Sequence, residues 1–118
     1  MNIEARLKEI GIVLPEPSVA IGNFVPGVVF DNILYVSGTY GTLKDDMGID
    51  YIPKPGKLGD ELTIKDGYDS ARLMLLNHLA MAKSVLGDLS LIDRPITSWL
   101  RKRHHRLSGR TFCIEWSI

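Results

Sequence analysis

The chain has 118 residues, of which 45% are hydrophobic and 24% charged, and its 14 Lys/Arg balance its 14 Asp/Glu. Such a composition is typical of one globular domain, and the zero net charge argues against a polyanionic or polycationic partner for the chain as a whole. A lone cysteine excludes an internal disulfide, and no apolar run approaches the ~20 residues of a membrane-spanning helix. We therefore expect a cytoplasmic protein that does not enter a membrane.

The first predicted element is a short amphipathic helix over residues 2–10. Ile3, Leu7 and Ile10 would share one face of this helix, and Gly11 is a natural stop. The connector that follows is rich in proline and glycine, so we expect it to be extended.

A β-hairpin over residues 27–38 gives the clearest strand signal. Two β-rich runs, GVVF and ILYVSG, flank Asp31 and Asn32, which both tolerate the positive φ of a two-residue type I′ turn. Gly38 ends the second strand, and a glycine there allows a ligand or a neighbouring chain to approach the backbone closely. A polar segment over residues 39–62 follows, and loops of this length are usually functional or mobile. Its GKLG run lacks the rest of a P-loop pattern, so no phosphate site is expected there.

A long helix is predicted over residues 63–86. Thr63 is a good N-cap with Asp66 three residues later, and Gly87 supplies the stop. Its main apolar stripe, which would pack against a sheet, consists of Tyr68, Ala71, Leu75, Leu79, Ala82 and Leu86. His78 lies in the same helix, and we interpret it as a surface or boundary residue.

Two stretches of the chain resemble the RidA/YjgF family, and most closely its endoribonuclease L-PSP/chorismate-mutase-like branch. They are AIGNFVPGVVFDNILYVSG and GKLGDELTIKDGYDSARLMLLNHLAMAKSVLGDLS, within a resemblance that covers residues 3–94. It implies an α+β, chorismate-mutase-like fold with a sheet packed by helices, and homotrimers with ligand clefts between subunits. It also implies hydrolysis of reactive enamines and imines to 2-keto acids, a small-molecule substrate, and neither a metal nor an organic cofactor.

The resemblance carries over few substrate-binding residues. Phe24 matches the aromatic residue of the family's cleft, where a tyrosine is common. Gly38 matches the glycine that closes the second hairpin strand, and Thr39 occupies the next position, which is commonly glutamine. These three residues are the expected substrate contacts in the first half of the chain.

Catalytic residues of the family lie in its later half, where an arginine grips the substrate carboxylate and a glutamate positions the attacking water. The run GRTFCIEW partly resembles that strand. It makes Arg110 and Glu115 candidate catalytic residues and Cys113 a candidate substrate contact. The spacing from Arg110 to Cys113 differs from the family pattern by one residue, which changes the side-chain face along a strand.

The last part of the chain departs from the family pattern. Residues 1–94 carry nine Lys/Arg against thirteen Asp/Glu, a net charge of −4, whereas residues 95–118 carry five against one, a net charge of +4. We therefore predict a partial family domain over residues 1–94 and an irregular basic tail over residues 95–118, whose origin in a frameshift, an alternative exon or a genuine end stays open. A solvated tail fits better than a nucleic-acid patch, since nothing else in the chain is basic. Adjacent His104 and His105 diverge on any regular element, so no metal site is expected.

Two main hypotheses of function follow. In the first, the protein is a RidA-like deaminase that is catalytically incomplete, because matching positions for the family's arginine and glutamate are not found. In the second, it is an inert or partner-binding truncated fragment, and a weaker third is ribonuclease activity with the tail holding RNA. Loss of the family's later strands would leave sheet edges unpaired, so we expect marginal stability that oligomerisation improves.

Overall fold

The computed structural model describes residues 2–18, 22–95 and 116–117. These residues form helices, a main sheet and a small second sheet. In chain order the elements are α1 (Ile3–Glu9), β1 (Gly27–Phe30), β2 (Ile33–Val36), β3 (Leu43–Lys44), β4 (Asp50–Tyr51), α2 (Ile64–Leu86), a short 3₁₀ turn (Leu89–Leu91), β5 (Arg94–Pro95) and β6 (Trp116–Ser117). The predicted α+β class is confirmed, as are both helices and the hairpin to within one or two residues.

The main sheet is antiparallel and has the strand order β1-β2-β6-β5. β6 lies between β2 and β5, with Trp116 opposite Leu34 and Ser117 opposite Ile33. The sequence predicts an irregular tail after residue 94, whereas the structure places a strand at residues 116–117. Hydrogen bonds to both neighbouring strands hold this two-residue strand in place.

Hairpin β1–β2 has the predicted turn. Asp31 and Asn32 have φ values of 48° and 59°, as a type I′ turn requires. Close pairing also needs Gly27, because a Cβ on this residue would lie 2.9 Å from the carbonyl oxygen of Tyr35. Leu34 projects from β2 into the core and is 1% exposed.

α2 begins and ends where the sequence predicts. The Thr63 hydroxyl accepts a hydrogen bond from the Asp66 amide at 3.2 Å, and the Asp66 carboxylate accepts one from the Thr63 amide at 3.0 Å. Gly87 follows the last helical residue with a φ of 79°. The hydrogen bond from Lys54, together with those of the capping box, holds the pKa of Asp66 below its usual range.

The predicted apolar stripe of α2 is correct in its second half and wrong at its start. Leu75, Leu79 and Ala82 pack into the core, but Tyr68 is 69% exposed. Leu58 covers the helix at Gly67, about 100° around the helix axis from Tyr68. Leu58 comes from the loop and not from the sheet. The first turns of α2 therefore bury the face that contains Gly67 and leave the predicted face with Tyr68 exposed.

The core lies between α2, the hairpin and the residues after α2. Leu34, Ala82, Leu89 and Ile92 are its buried members. Side chains of α1 pack on the same cluster, and the Lys83 ammonium donates to Glu4 at 2.9 Å. Within the part of the chain that the structure describes, neither helix has the length and hydropathy to cross a bilayer.

The polar segment 39–62 contains more structure than the sequence indicates. β3 and β4 form a small antiparallel hairpin in it. The Asp45 carboxylate accepts hydrogen bonds from the amides of Met47 and Ile49, both at 2.9 Å, and thereby holds the turn. Aspartate side chains commonly accept hydrogen bonds from backbone amides in turns. Such a turn forms without a periodic pattern of apolar residues, so the sequence pattern does not reveal this hairpin.

Candidate ligand-binding site

The end of β2 brings two of the predicted substrate contacts, Phe24 and Gly38, onto neighbouring chain segments. Ser37 makes the connection, because its hydroxyl donates to the carbonyl of Val25 at 2.6 Å and its amide donates to the carbonyl of Pro26 at 2.9 Å. Phe24 directly precedes the first of these acceptors and is 52% exposed. An exposed aromatic ring and a glycine backbone therefore flank the same strand end.

Space beside Gly38 is open. A Cβ added to this residue would have no atom within 4 Å, so no side chain of the described part fills the position. The described residues also provide no hydrogen-bond acceptor for the Gly38 amide. An amide donor beside open space is a suitable partner for a ligand oxygen.

Segment 37–42, the six residues that follow β2, lies directly on α2. Its closest approach is at Gly41, where a Cβ would lie 2.6 Å from the carbonyl oxygen of Ser70. Only a glycine permits this contact between two backbones. Helix α2, and not a loop, therefore packs against the segment that carries the candidate ligand-binding residues Gly38 and Thr39.

Buried polar side chains of α2 hold this segment. The Asn77 amide nitrogen donates to the carbonyl of Tyr40 at 2.9 Å and to Thr42, with its carbonyl at 3.1 Å and its hydroxyl at 3.2 Å. His78 Nε2 lies 3.2 Å from the carbonyl oxygen of Ser37, which can only accept, so Nε2 carries the proton. Asn77 and His78 are 5% and 8% exposed.

The interpretation of His78 as a surface or boundary residue is wrong, because the structure buries it. Burial lowers the pKa of the imidazole, and the hydrogen bond to the Ser37 carbonyl opposes this effect only in part. His78 is therefore neutral at pH 7. Its other nitrogen, Nδ1, is buried and has no hydrogen-bond partner in the described structure.

Thr39 is partly buried against α2. Its hydroxyl faces the carbonyl oxygen of Met74 at 3.5 Å, a long hydrogen bond. This side chain therefore contacts the helix, and its role as a substrate contact stays a prediction.

Three predicted site residues, Arg110, Cys113 and Glu115, lie outside the described residues. The nearest described element is β6, which begins one residue after Glu115. Over residues 2–18 and 22–95, no group of three or more His, Cys, Asp or Glu side chains is arranged to hold a metal ion.

The sequence of residues 4–115 matches the family model described as YjgF/chorismate mutase-like, putative endoribonuclease. The chain belongs to this family. The match extends past residue 94, where the resemblance noted from motifs ends, so the division of the chain at that residue stays a prediction. No protein with a curated record matches the chain.

Two solved structures share the fold. One is a putative endoribonuclease from Shewanella oneidensis, with 34% identity and a TM-score of 0.70 over 80% of this chain and 60% of that protein. Another is the protein Atu1372, of unknown function, from Agrobacterium tumefaciens, with 36% identity and a TM-score of 0.62 over 82% of this chain and 56% of that protein. The chain thus spans about three fifths of the length of these two proteins.

Proposed function

We propose that this YjgF-like chain binds small 2-keto and 2-imino carboxylates and hydrolyses enamine or imine intermediates slowly. The observation that carries the proposal is the Gly38 amide, which has no acceptor among the described residues, at the same strand end as the exposed ring of Phe24, with Ser37 linking the two chain segments. A planar conjugated acid can stack on the ring while one of its oxygens accepts from the amide. The reaction class itself comes from the resemblance to the RidA/YjgF family.

In the proposed reaction, 2-aminoacrylate first tautomerises to its imine. Water then adds to the imine carbon, the carbon–nitrogen bond breaks, and ammonia and pyruvate leave. Arg110 would grip the carboxylate through its planar guanidinium, and Glu115 would position the water. Cys113 would contact the substrate, and no cofactor takes part.

The direction of β6 supports a role for these residues. From Ser117 to Trp116 the strand passes from Ile33 to Leu34, which is the direction of β2 toward Gly38. The one-residue departure between Arg110 and Cys113 is the reason why we expect weak turnover.

The test is pyruvate formation from 2-aminoacrylate generated in the assay, measured against the spontaneous rate. We expect the wild type to exceed that rate and Arg110→Ala to lose the excess, because one bidentate carboxylate contact is lost. Arg106→Ala is the matched control, since it removes a nearby positive charge and leaves Arg110 in place. Equal rates for wild type and Arg110→Ala would remove Arg110 from the site, and a wild-type rate no higher than the spontaneous rate would favour the inert-fragment hypothesis.

Ribonuclease activity is a second candidate, favoured by the description of the family and of the Shewanella protein. The basic run at residues 101–106 would contact phosphates, so such activity would weaken steeply with salt. Incubation of single-stranded RNA with wild type and with Arg110→Ala at low and high salt separates the candidates. Salt-sensitive cleavage by both proteins would favour the ribonuclease over the deaminase.

We also propose that the chain forms a homo-oligomer, a trimer by family resemblance, in the cytoplasm. Alternate residues of the hairpin project from the sheet face opposite α2, and Val28, Phe30 and Tyr35 on this face are 53%, 70% and 52% exposed. An apolar sheet face of this kind is usually covered by a partner. A second copy of the chain is the partner that the family fold favours.

A further inference from the structure

Asn77 and His78 are buried polar residues on the face of α2 that contacts segment 37–42, at the edge of the predicted apolar stripe or outside it. Burial of polar side chains is unfavourable unless they form hydrogen bonds. All the hydrogen bonds of their side chains in the described structure go to segment 37–42, on both sides of Gly38 and Thr39. Within the described chain, the side chains of Asn77 and His78 therefore form hydrogen bonds with the candidate ligand-binding segment and with no other part.

We propose that Asn77 and His78 are positioning residues that fix the direction of the Gly38 amide in the ligand-binding site. His78 holds the carbonyl oxygen of Ser37 toward α2 at 3.2 Å. The peptide bond between Ser37 and Gly38 is trans, so the Gly38 N–H points opposite to that carbonyl and away from the helix. The donor thus faces the open side of the segment.

Asn77 fixes the other end of the same short stretch. Its amide holds the carbonyls of Tyr40 and Thr42, at 2.9 and 3.1 Å. Gly38 lies between the two anchors, and glycine has the widest backbone freedom of any residue. Without both anchors, the Gly38 amide would sample many directions and would bind a ligand oxygen less often.

The unpaired nitrogen of His78 argues against a role in packing alone. Nδ1 is buried without a partner, which is unfavourable, and an apolar side chain of similar size would avoid this cost. What an apolar side chain cannot do is donate to Ser37. We infer that the role of His78 is to donate this directional hydrogen bond to the Ser37 carbonyl.

A matched pair of variants in the full chain tests the proposal. Gln places an N–H donor near the position of Nε2, and Met has nearly the same length and fills gaps well but cannot donate. We expect NMR order parameters of the Gly38 and Thr39 amides near ~0.85 in wild type and His78→Gln and below ~0.6 in His78→Met. Amides of the β1–β2 hairpin should keep their values in all three proteins. Equal order parameters at Gly38 in the Gln and Met variants would overturn the proposal.

A second readout rests on the proposed function and uses pyruvate, the product of the proposed reaction, as the probe. We expect its Kd to rise about five- to tenfold in His78→Met and to stay within about twofold of wild type in His78→Gln, as for the loss of one hydrogen bond. If pyruvate does not bind the wild type, the proposed function fails while the order parameters still decide the positioning role. If His78→Met does not fold, the ¹⁵N spectrum of wild-type His78 decides it, since a proton on Nδ1 in place of Nε2 would contradict the hydrogen bond to Ser37.

Discussion

His78 is a single residue whose burial has a consequence for the pH dependence of stability. The imidazole is buried, and burial lowers its pKa below the usual ~6.5 in the folded protein. The unfolded chain therefore takes up this proton at a higher pH than the folded chain does. The contribution of neutral His78 to the free energy of unfolding is therefore complete above about pH 6.5. It is lost as the pH falls from there toward the lower pKa of the folded state.

We expect the free energy of unfolding to decrease as the pH falls below about 6.5 because of His78. Urea unfolding at half-unit pH steps measures this decrease. His78→Gln is the control, since it keeps a donor and does not titrate in this range. If both proteins lost stability equally over this interval, the decrease would come from other groups and not from His78.

Gly67 lowers the stability of helix α2, and the sequence alone does not explain why a glycine stands there. A glycine in the first turn of a helix is unfavourable relative to alanine by about 1 kcal/mol. The structure gives the reason, because a Cβ on Gly67 would lie 2.6 Å from the Leu58 side chain, which is buried on the helix. The glycine thus allows loop and helix to pack closely.

We expect Gly67→Ala to destabilise the protein by about 1–2 kcal/mol, since overpacking outweighs the gain in helix propensity. The same substitution in a Leu58→Ala background should be stabilising, because the clash is absent there. Chemical denaturation of the four proteins measures this double-mutant cycle. A stabilising effect of Gly67→Ala in the wild-type background would mean that Leu58 moves aside without cost.

Elements with strong local signals are the ones that the sequence predicts well. The turn at Asp31 and Asn32 and the caps of α2 depend on residues within a few positions of each other, so pattern reading finds them. Strand β6 is fixed by partners that are distant in the chain, and its two residues carry no pattern.

The candidate site is predicted only in part for a similar reason. Phe24, Gly38 and Thr39 come from family motifs, whereas Asn77 and His78 were not assigned to the site. On the helix surface His78 lies at the edge of the predicted apolar stripe and Asn77 lies on the side away from it, and the usual interpretation of a polar residue at such positions is solvent exposure. Their partners on segment 37–42 are 35 to 41 residues away, which no local pattern reveals.

The whole molecule exposes an apolar sheet face that a monomer would leave in contact with water. Among its residues, Phe30 is 70% exposed and lies at the turn end of β1. Covering such a side chain on association contributes up to about 1.5–3 kcal/mol per site. The unfolding temperature of an oligomer then depends on protein concentration.

We expect Phe30→Lys to shift the proposed oligomer to monomer, because a charge on this face disfavours burial. Sedimentation velocity measures the assembly, and thermal unfolding at several concentrations measures the linked stability. Met47→Lys is the control, since Met47 lies on the β3–β4 turn and is also exposed. A cooperative unfolding transition of wild-type monomer at low concentration would contradict the dependence on oligomerisation.

The position of β6 in the main sheet has a consequence for synthesis of the protein. β6 separates β2 from β5, so the hairpin cannot reach β5 through hydrogen bonds until residues 116–117 are present. A nascent chain on the ribosome can form the hairpin and α2 early, because both depend on nearby residues. The sheet is completed only after residues 116–117 have left the exit tunnel, and until then β2 presents an open edge to chaperones or to other nascent copies.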